Sequence, residues 1–179
     1  MKILIIGTYI PIKCGIATFT HDLYLSLKDH NIDVEVLAIS DGSESTFPQE
    51  VVNTIYRNDR SSYLKSADWL NKQNYDCCIL QHEFGIFGGE AGNYIINLLT
   101  RINVPVITNL HTILQDPSKE EFDVIQRISM LSDQVTVMTK RGVDMLKQVY
   151  QVAPEKISLI PHGVPNFKIS QKDAKARLG

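Results

Sequence analysis

Residues 2–8 read KILIIGT, and the fold turns on how this stretch is read. Ile3, Leu4, Ile5 and Ile6 form an unbroken apolar run closed by Gly7. A continuous run, with no polar alternation, is what a strand needs when both of its faces are covered, as in a parallel sheet. The chain then changes period. Across residues 16–30, Ile16, Phe19, Leu23 and Leu27 recur at steps of three and four, which puts them on one face of a helix. A buried strand followed by such a helix opens a βαβ unit.

The same rhythm continues outward. Residues 33–39 (DVEVLAI), 76–81 (DCCILQ), 105–109 (PVITN), 134–138 and 156–160 predict strands, with a weaker one at 51–56. Helices are predicted over 61–73, from a glycine-rich turn at 85–92 onward to 101, and over 117–131 and 140–150. Parallel strands need crossover connections, and these are almost always right-handed. The expectation is an α/β, Rossmann-like, doubly wound and mostly parallel sheet of about seven strands. No internal repeat or low-complexity tract interrupts it.

Size and composition agree with one globular unit. The chain has 179 residues, 44% hydrophobic and 21% charged. One domain over 1–166 is expected, long enough to bury its own core. After Pro165 the rhythm stops, and 170–178 reads as a fresh helix with Ser170 as N-cap, Asp173 at its third position and Gly179 past its end. Residues 167–179 are then either a linker entering a further domain or a docked terminal helix.

The formal charge of −2 disfavours general nucleic-acid binding, which calls for a basic surface. Apolar runs such as 3–6 and 95–99 are too short to cross a bilayer, and Lys2 is followed by only four apolar residues with no cleavage-like region. A cytoplasmic protein is expected, with peripheral membrane contact left open. Cys14, Cys77 and Cys78 make an odd set without a C-x-x-C spacing, hence reduced thiols, with Cys77 and Cys78 expected in the core.

Open parallel sheets bind ligands beyond the carboxyl ends of their strands, so the residues after each strand matter most. His82-Glu83 follows the fourth predicted strand, His111-Thr112 the fifth, and His162-Gly163 the last. His21 and His30 belong to the first helix, where His30 complements the helix C-terminus. A dinucleotide fingerprint, a G-x-x-x-x-G-K-S/T loop, H-E-x-x-H and G-x-S-x-G are all absent from the sequence. The loop 11–18 (PIKCGIAT) remains. Gly15 at a helix start suits an anion such as a diphosphate, with Lys13 adding charge, or it merely makes the turn.

These segments together resemble a known family. The loop entering the first helix (CGIATF, 14–19), His82-Glu83, Leu110-His111-Thr112 and Ile160-Pro161-His162-Gly163-Val164 look like the N-terminal domain of family-four, or group 1, glycosyltransferases, retaining enzymes of the GT-B fold. Residues 82–93 (HEFGIFGGEAGN) resemble a bacterial subgroup associated with mannosyl transfer.

The resemblance implies one half of a two-domain enzyme that moves a hexose from a nucleotide-sugar to a sugar or glycan acceptor. It also implies a missing C-terminal donor-binding domain with an E-x7-E pair, and therefore little activity in this chain alone. It implies no metal and no cofactor, the nucleotide-sugar being a substrate. Gly15, with Lys13 as a candidate, would approach the donor diphosphate. His111 would lie by the donor sugar as the catalytic candidate, and His82 and Glu83 at the acceptor edge. His162-Gly163 would line the interdomain cleft, with histidine standing where the family carries asparagine. Two other readings keep the sheet: a nucleotide-sugar epimerase or hydrolase, and a non-catalytic binding module.

Overall fold

The computed structural model describes residues 1–43, 46–163 and 170–178. Its elements are β1 (Lys2–Gly7), α1 (Gly15–Asp29), β2 (Asp33–Ser40), β3 (Val51–Tyr56), α2 (Arg60–Leu70), β4 (Cys77–His82) and α3 (Ile95–Leu99), then β5 (Val106–Leu110), α4 (Lys119–Leu131), β6 (Gln134–Val137), α5 (Lys140–Gln148), β7 (Ile157–Leu159) and α6 (Gln171–Leu178). The seven strands run in the order β3-β2-β1-β4-β5-β6-β7. Every neighbouring pair is parallel. Strand order reverses between β1 and β4, and that is where a sheet of this kind opens a crevice at its carboxyl ends.

The unbroken apolar runs divide between two helical layers. Leu4, Ile6, Leu37 and Leu80 face α2, α3 and α4 through Tyr63, Ala67, Leu98, Val124 and Ile128. Alternate residues Ile3, Ile5 and Val34 face α1 through Leu23 and Leu27. Leu110, Val135 and Val137 meet Ile125, Leu146 and Tyr150 toward the β7 side. Each fully buried side chain of this type contributes about 1.5–3 kcal/mol, so continuous burial on both faces dominates the fold's stability.

Local signals set the helix ends. The Cys14 Sγ accepts the amide of Ala17 at 3.3 Å and so caps α1. His30 closes that helix, its Nδ1 lying 2.8 Å from the Ser26 carbonyl. Ser118 and Glu121 form a reciprocal capping box at α4. At the other end of α4, the Lys156 ammonium donates to the carbonyls of Ser129, Met130 and Ser132 at 3.0, 3.2 and 2.7 Å. A cation there offsets the unpaired carbonyls and the negative end of the helix dipole.

The helix expected up to 101 is short, and the glycine-rich segment before it is the turn the sequence predicts. That segment forms two single 3-10 turns, Phe84–Ile86 and Glu90–Gly92, before the short α3. Gly89 and Gly92 sit at φ 80° and 77°, which a side chain resists. Gly88 is required by proximity, because a Cβ there would lie 2.0 Å from the Arg57 carbonyl oxygen. Tyr63 ties the two segments together, accepting from the Gly88 amide and donating to that carbonyl, each at 3.0 Å.

Two smaller corrections follow. Cys78 is fully buried as expected, but Cys77, the first residue of β4, is only half-buried. β4 extends through His82 because that residue still pairs with Leu110. A helix does follow Ser170, whose side chain accepts the Asp173 amide at 3.1 Å, and Gln171, Lys172 and Asp173 are exposed. Val164 and the boundary expected at 166 lie outside the described residues. Among the described residues, no helix is long and apolar enough to cross a membrane.

Candidate active site

The first turn of α1 stands at the carboxyl edge beside the strand-order reversal. With Cys14 capping the Ala17 amide, the amides of Gly15 and Ile16 have no partner among the described residues. Gly15 is exposed, and a Cβ built on it would meet nothing within 4 Å. The backbone is therefore open to a ligand, and the helix dipole favours a negative one. Lys13 is exposed beside it.

One turn further along α1, Phe19 gathers two of the predicted histidines. Its ring meets His111 edge-on at 4.8 Å and His162 at 5.1 Å between centroids. Gly15, His111 and His162 thus share one edge, as the sequence suggested. The His111 backbone amide bonds the His82 carbonyl at 3.0 Å, continuing the β4–β5 ladder past its last strand residue. The His111 Nε2 points inward to the Gln81 Oε1 at 2.7 Å. Burial, with a contribution from nearby His162, lowers the His111 pKa to about 4, so the ring is neutral at pH 7. His162 is exposed, its Nδ1 lying 2.9 Å from the Gly163 carbonyl, and Gly163 faces open space.

His82 and Glu83 occupy different situations. His82 is 0% exposed, wedged edge-on to Phe84 at 5.2 Å and nearly stacked on Phe87 at 5.7 Å. Both ring nitrogens are buried without a hydrogen-bond partner. Burial, and then the neighbouring His111, lower its pKa to about 3. In this arrangement His82 presents no atom to an acceptor, because the strand carries it one residue deeper than expected. Glu83 remains on the edge, half-buried, accepting the Phe84 amide at 3.0 Å and the Thr112 hydroxyl at 2.5 Å.

A cavity of about 510 Å³ opens beside His111 and His162. Thr139, Arg141, Gly142 and Gln115 also line it, none of which the sequence reading singled out. Thr139 caps α5 by accepting the Gly142 amide at 3.0 Å, and Arg141 donates to Gln115 at 2.7 Å. The S/T-before-helix signal at Thr139 was visible, but its place beside His111 depends on the β5–β6 pairing. A second cluster was also invisible in sequence: buried Tyr9 donates to Glu50 at 2.9 Å and pairs with the His21 Nδ1 at 2.8 Å. Burial and then Glu50 push the Tyr9 pKa upward, so it stays a neutral phenol. Among the described residues, no group of three or more His, Cys, Asp or Glu is placed to hold a metal ion.

A seven-stranded parallel sheet in this order, with helices on both faces, defines a Rossmann-like α/β domain. The family model of Glycosyltransferase Family 4 matches residues 14–166, and the chain belongs to that family. Among solved structures, a glycosyltransferase from Rickettsia africae ESF-5 aligns at TM-score 0.66 and 15% identity, over 98% of this chain and 48% of that one. An alpha-glucosyltransferase in complex with UDP aligns at 0.57 and 17% identity, over 93% and 42%. An alpha-glucosyltransferase in complex with UDP-glucose and DNA containing an abasic site aligns at 0.57 and 16%, over 90% and 41%. At these identities the likeness concerns the fold, a GT-B half. The chain spans less than half the length of these structures. No curated protein matches it.

Proposed function

We propose that this glycosyltransferase domain is the acceptor-side half of a retaining enzyme that moves a hexose from a nucleotide-sugar to a sugar or glycan acceptor in the cytoplasm. Family membership supports the reaction class, and one observation ties it to particular residues. The free amides of Gly15 and Ile16 share an edge with the ring row His111–Phe19–His162. The donor diphosphate lies against the α1 N-terminus, whose dipole and amides offset leaving-group charge, with Lys13 in reach. His111 contacts the donor sugar as a neutral ring. Glu83, held by Thr112, takes an acceptor hydroxyl, while His82 supports that edge from behind. His162 and Gly163 line the side facing a donor-binding domain.

UDP and UDP-glucose are named for the similar structures, and the nucleotide-sugar class is carried over on that basis. DNA as a partner is not carried over, because a net charge of −2 leaves no surplus of cations to neutralise phosphates. The resemblance of residues 82–93 to a mannosyl-transferring subgroup puts nucleotide-mannose donors beside UDP-glucose among those to try.

The test is acceptor-dependent release of nucleoside diphosphate by the polypeptide that joins this chain to its donor-binding half. The expected product keeps the anomeric configuration of the donor, read by NMR. Free sugar released without acceptor, or an epimerised donor, would move the assignment to hydrolase or epimerase. Indifference to every nucleotide-sugar would overturn it.

A further inference from the structure

The carboxyl edge carries a buried polar row that no step above uses. Gln81 of β4 is in register with Asn109 of β5, and Asn109 with Thr136 of β6. The three are 0%, 8% and 7% exposed, in a sheet whose buried positions are mostly aliphatic. A buried polar row costs stability unless its bonds are made, and here the row's bonds run through Thr136, Asn109 and the Gln81 Oε1, while the Gln81 Nε2 is buried without a partner. The row also needs room: on neighbouring β1, a Cβ on Gly7 would stand 2.9 Å from the Gln81 Cβ.

The row has a direction, with the Thr136 hydroxyl, which can donate or accept, donating here. The Thr136 hydroxyl has two acceptors in reach, the Asn109 Oδ1 at 3.0 Å and the Thr108 carbonyl at 3.5 Å. The shorter bond is the effective one, since hydroxyl bonds weaken well before 3.5 Å. Asn109 thus receives at its oxygen and turns its amide nitrogen to the Gln81 Oε1, 2.9 Å away. That same oxygen lies 2.7 Å from the His111 Nε2. An amide oxygen only accepts, so the His111 Nε2 carries the proton in the 2.7 Å contact, the Asn109 Nδ2 at 3.4 Å from the same nitrogen being the much weaker one. The Nδ1 of a neutral ring is then bare. It has no partner among the described residues, and it is not among the buried unpaired atoms.

We propose that Thr136, Asn109 and Gln81 act as a positioning row that fixes His111 as its Nε2–H tautomer, leaving Nδ1 at the edge as an acceptor for a hydroxyl-bearing ligand. The ligand half of this statement rests on the glycosyltransferase reading above; the wiring does not. Neutrality of the ring at pH 7 agrees with it. The row would make His111 an acceptor from a sugar hydroxyl rather than a proton donor to the leaving group.

Nitrogen-15 NMR of the imidazole rings at pH 7 tests the wiring directly, with the His111 signals assigned by their loss in His111→Gln. The wild-type chain should show Nε2 protonated and Nδ1 bare, in a single tautomer. Thr136→Val keeps the shape but lacks the donor that sets the direction, and both tautomers should appear. Thr136→Ser should restore the single form. Gln81→Leu removes the acceptor and should also give a mixture, with the amide spectrum showing that each variant is folded. A protonated Nδ1 in the wild type, which needs no variant to fold, overturns the proposal. So does a single unchanged tautomer in both Thr136→Val and Gln81→Leu. The predicted tautomer in a protein that ignores nucleotide-sugars would refute the transferase reading and leave the row standing.

Discussion

Replacing His82 with phenylalanine should stabilise this protein, and more so in acid. The imidazole is fully buried between Phe84 and Phe87, and neither nitrogen has a partner. A buried polar group left unpaired costs about 1–3 kcal/mol, and phenylalanine removes two such atoms. Against this, the larger ring overpacks the site, at a typical cost of about 1–3 kcal/mol. The net gain at pH 7 is therefore modest, about 1 kcal/mol, or about 2–4 °C in Tm for a domain of this size.

The pH dependence separates the two effects, since overpacking does not titrate. The folded pKa of His82 is lowered from 6.5 to about 3. Below pH 6.5 the unfolded chain binds a proton that the folded chain refuses, so stability is intact above that pH and drains away as pH falls toward 3. One such group changes stability by about 1.4 kcal/mol per pH unit within the window. His111 adds a similar slope to both proteins, reduced by its partial exposure, and so cancels from the comparison. At pH 5 the advantage of His82→Phe should thus have grown by about 2 kcal/mol. Urea unfolding at pH 7.5, 6 and 5 reads it directly. If wild type and variant keep parallel pH profiles, His82 is hydrated or exchanges its proton freely in the folded state, and the reasoning fails.

Gly15→Ala should leave stability within about 0.5 kcal/mol, because the added methyl meets open space, while nucleotide-sugar affinity of the complete enzyme drops about tenfold. Calorimetric binding with unfolding on the same sample checks both, and undiminished affinity would remove the diphosphate from α1. His111→Ala should slow transfer per folded molecule by about threefold to tenfold, the loss of one neutral hydrogen bond of about 0.5–1.5 kcal/mol. A normal rate with a lowered Tm would make His111 structural. Gly88→Ala should cost about 3 kcal/mol, the upper end of overpacking, and a folded variant with unchanged Tm would show that the Arg57 contact yields.

Much of the architecture was legible because buried parallel strands announce themselves as unbroken apolar runs. KILIIG, DVEVLAIS and CCILQH needed no partner to be recognised, and alternating helices then left little choice of topology. Gly15, His111 and His162 could be placed on one edge by the same logic. What escaped depended on pairing between distant segments. Thr136, Asn109 and Gln81 look unrelated until the register of β4, β5 and β6 puts them side by side. Tyr9 and Glu50 lie 41 positions apart. His82 lies one strand residue deeper than expected, its pairing with Leu110 being a long-range contact that the sequence does not display. α3 is shorter than the helix expected to reach 101, ending at Leu99.

Glycine-rich segments are commonly taken for hinges, and residues 85–92 show the opposite use. Gly85 alone would tolerate a side chain freely, whereas Gly88, Gly89 and Gly92 are pressed against Arg57, Asn93 and Phe84. Their lack of side chains is spent on close contact, so the bonded amides of Ile86, Gly88 and Gly92 should exchange slowly. That gives the edge near Glu83 a fixed shape that does not wait for a ligand. Changes in what it recognises would come through single side chains projecting from a rigid backbone, and an insertion here would dislodge the Arg57 turn and α3 together.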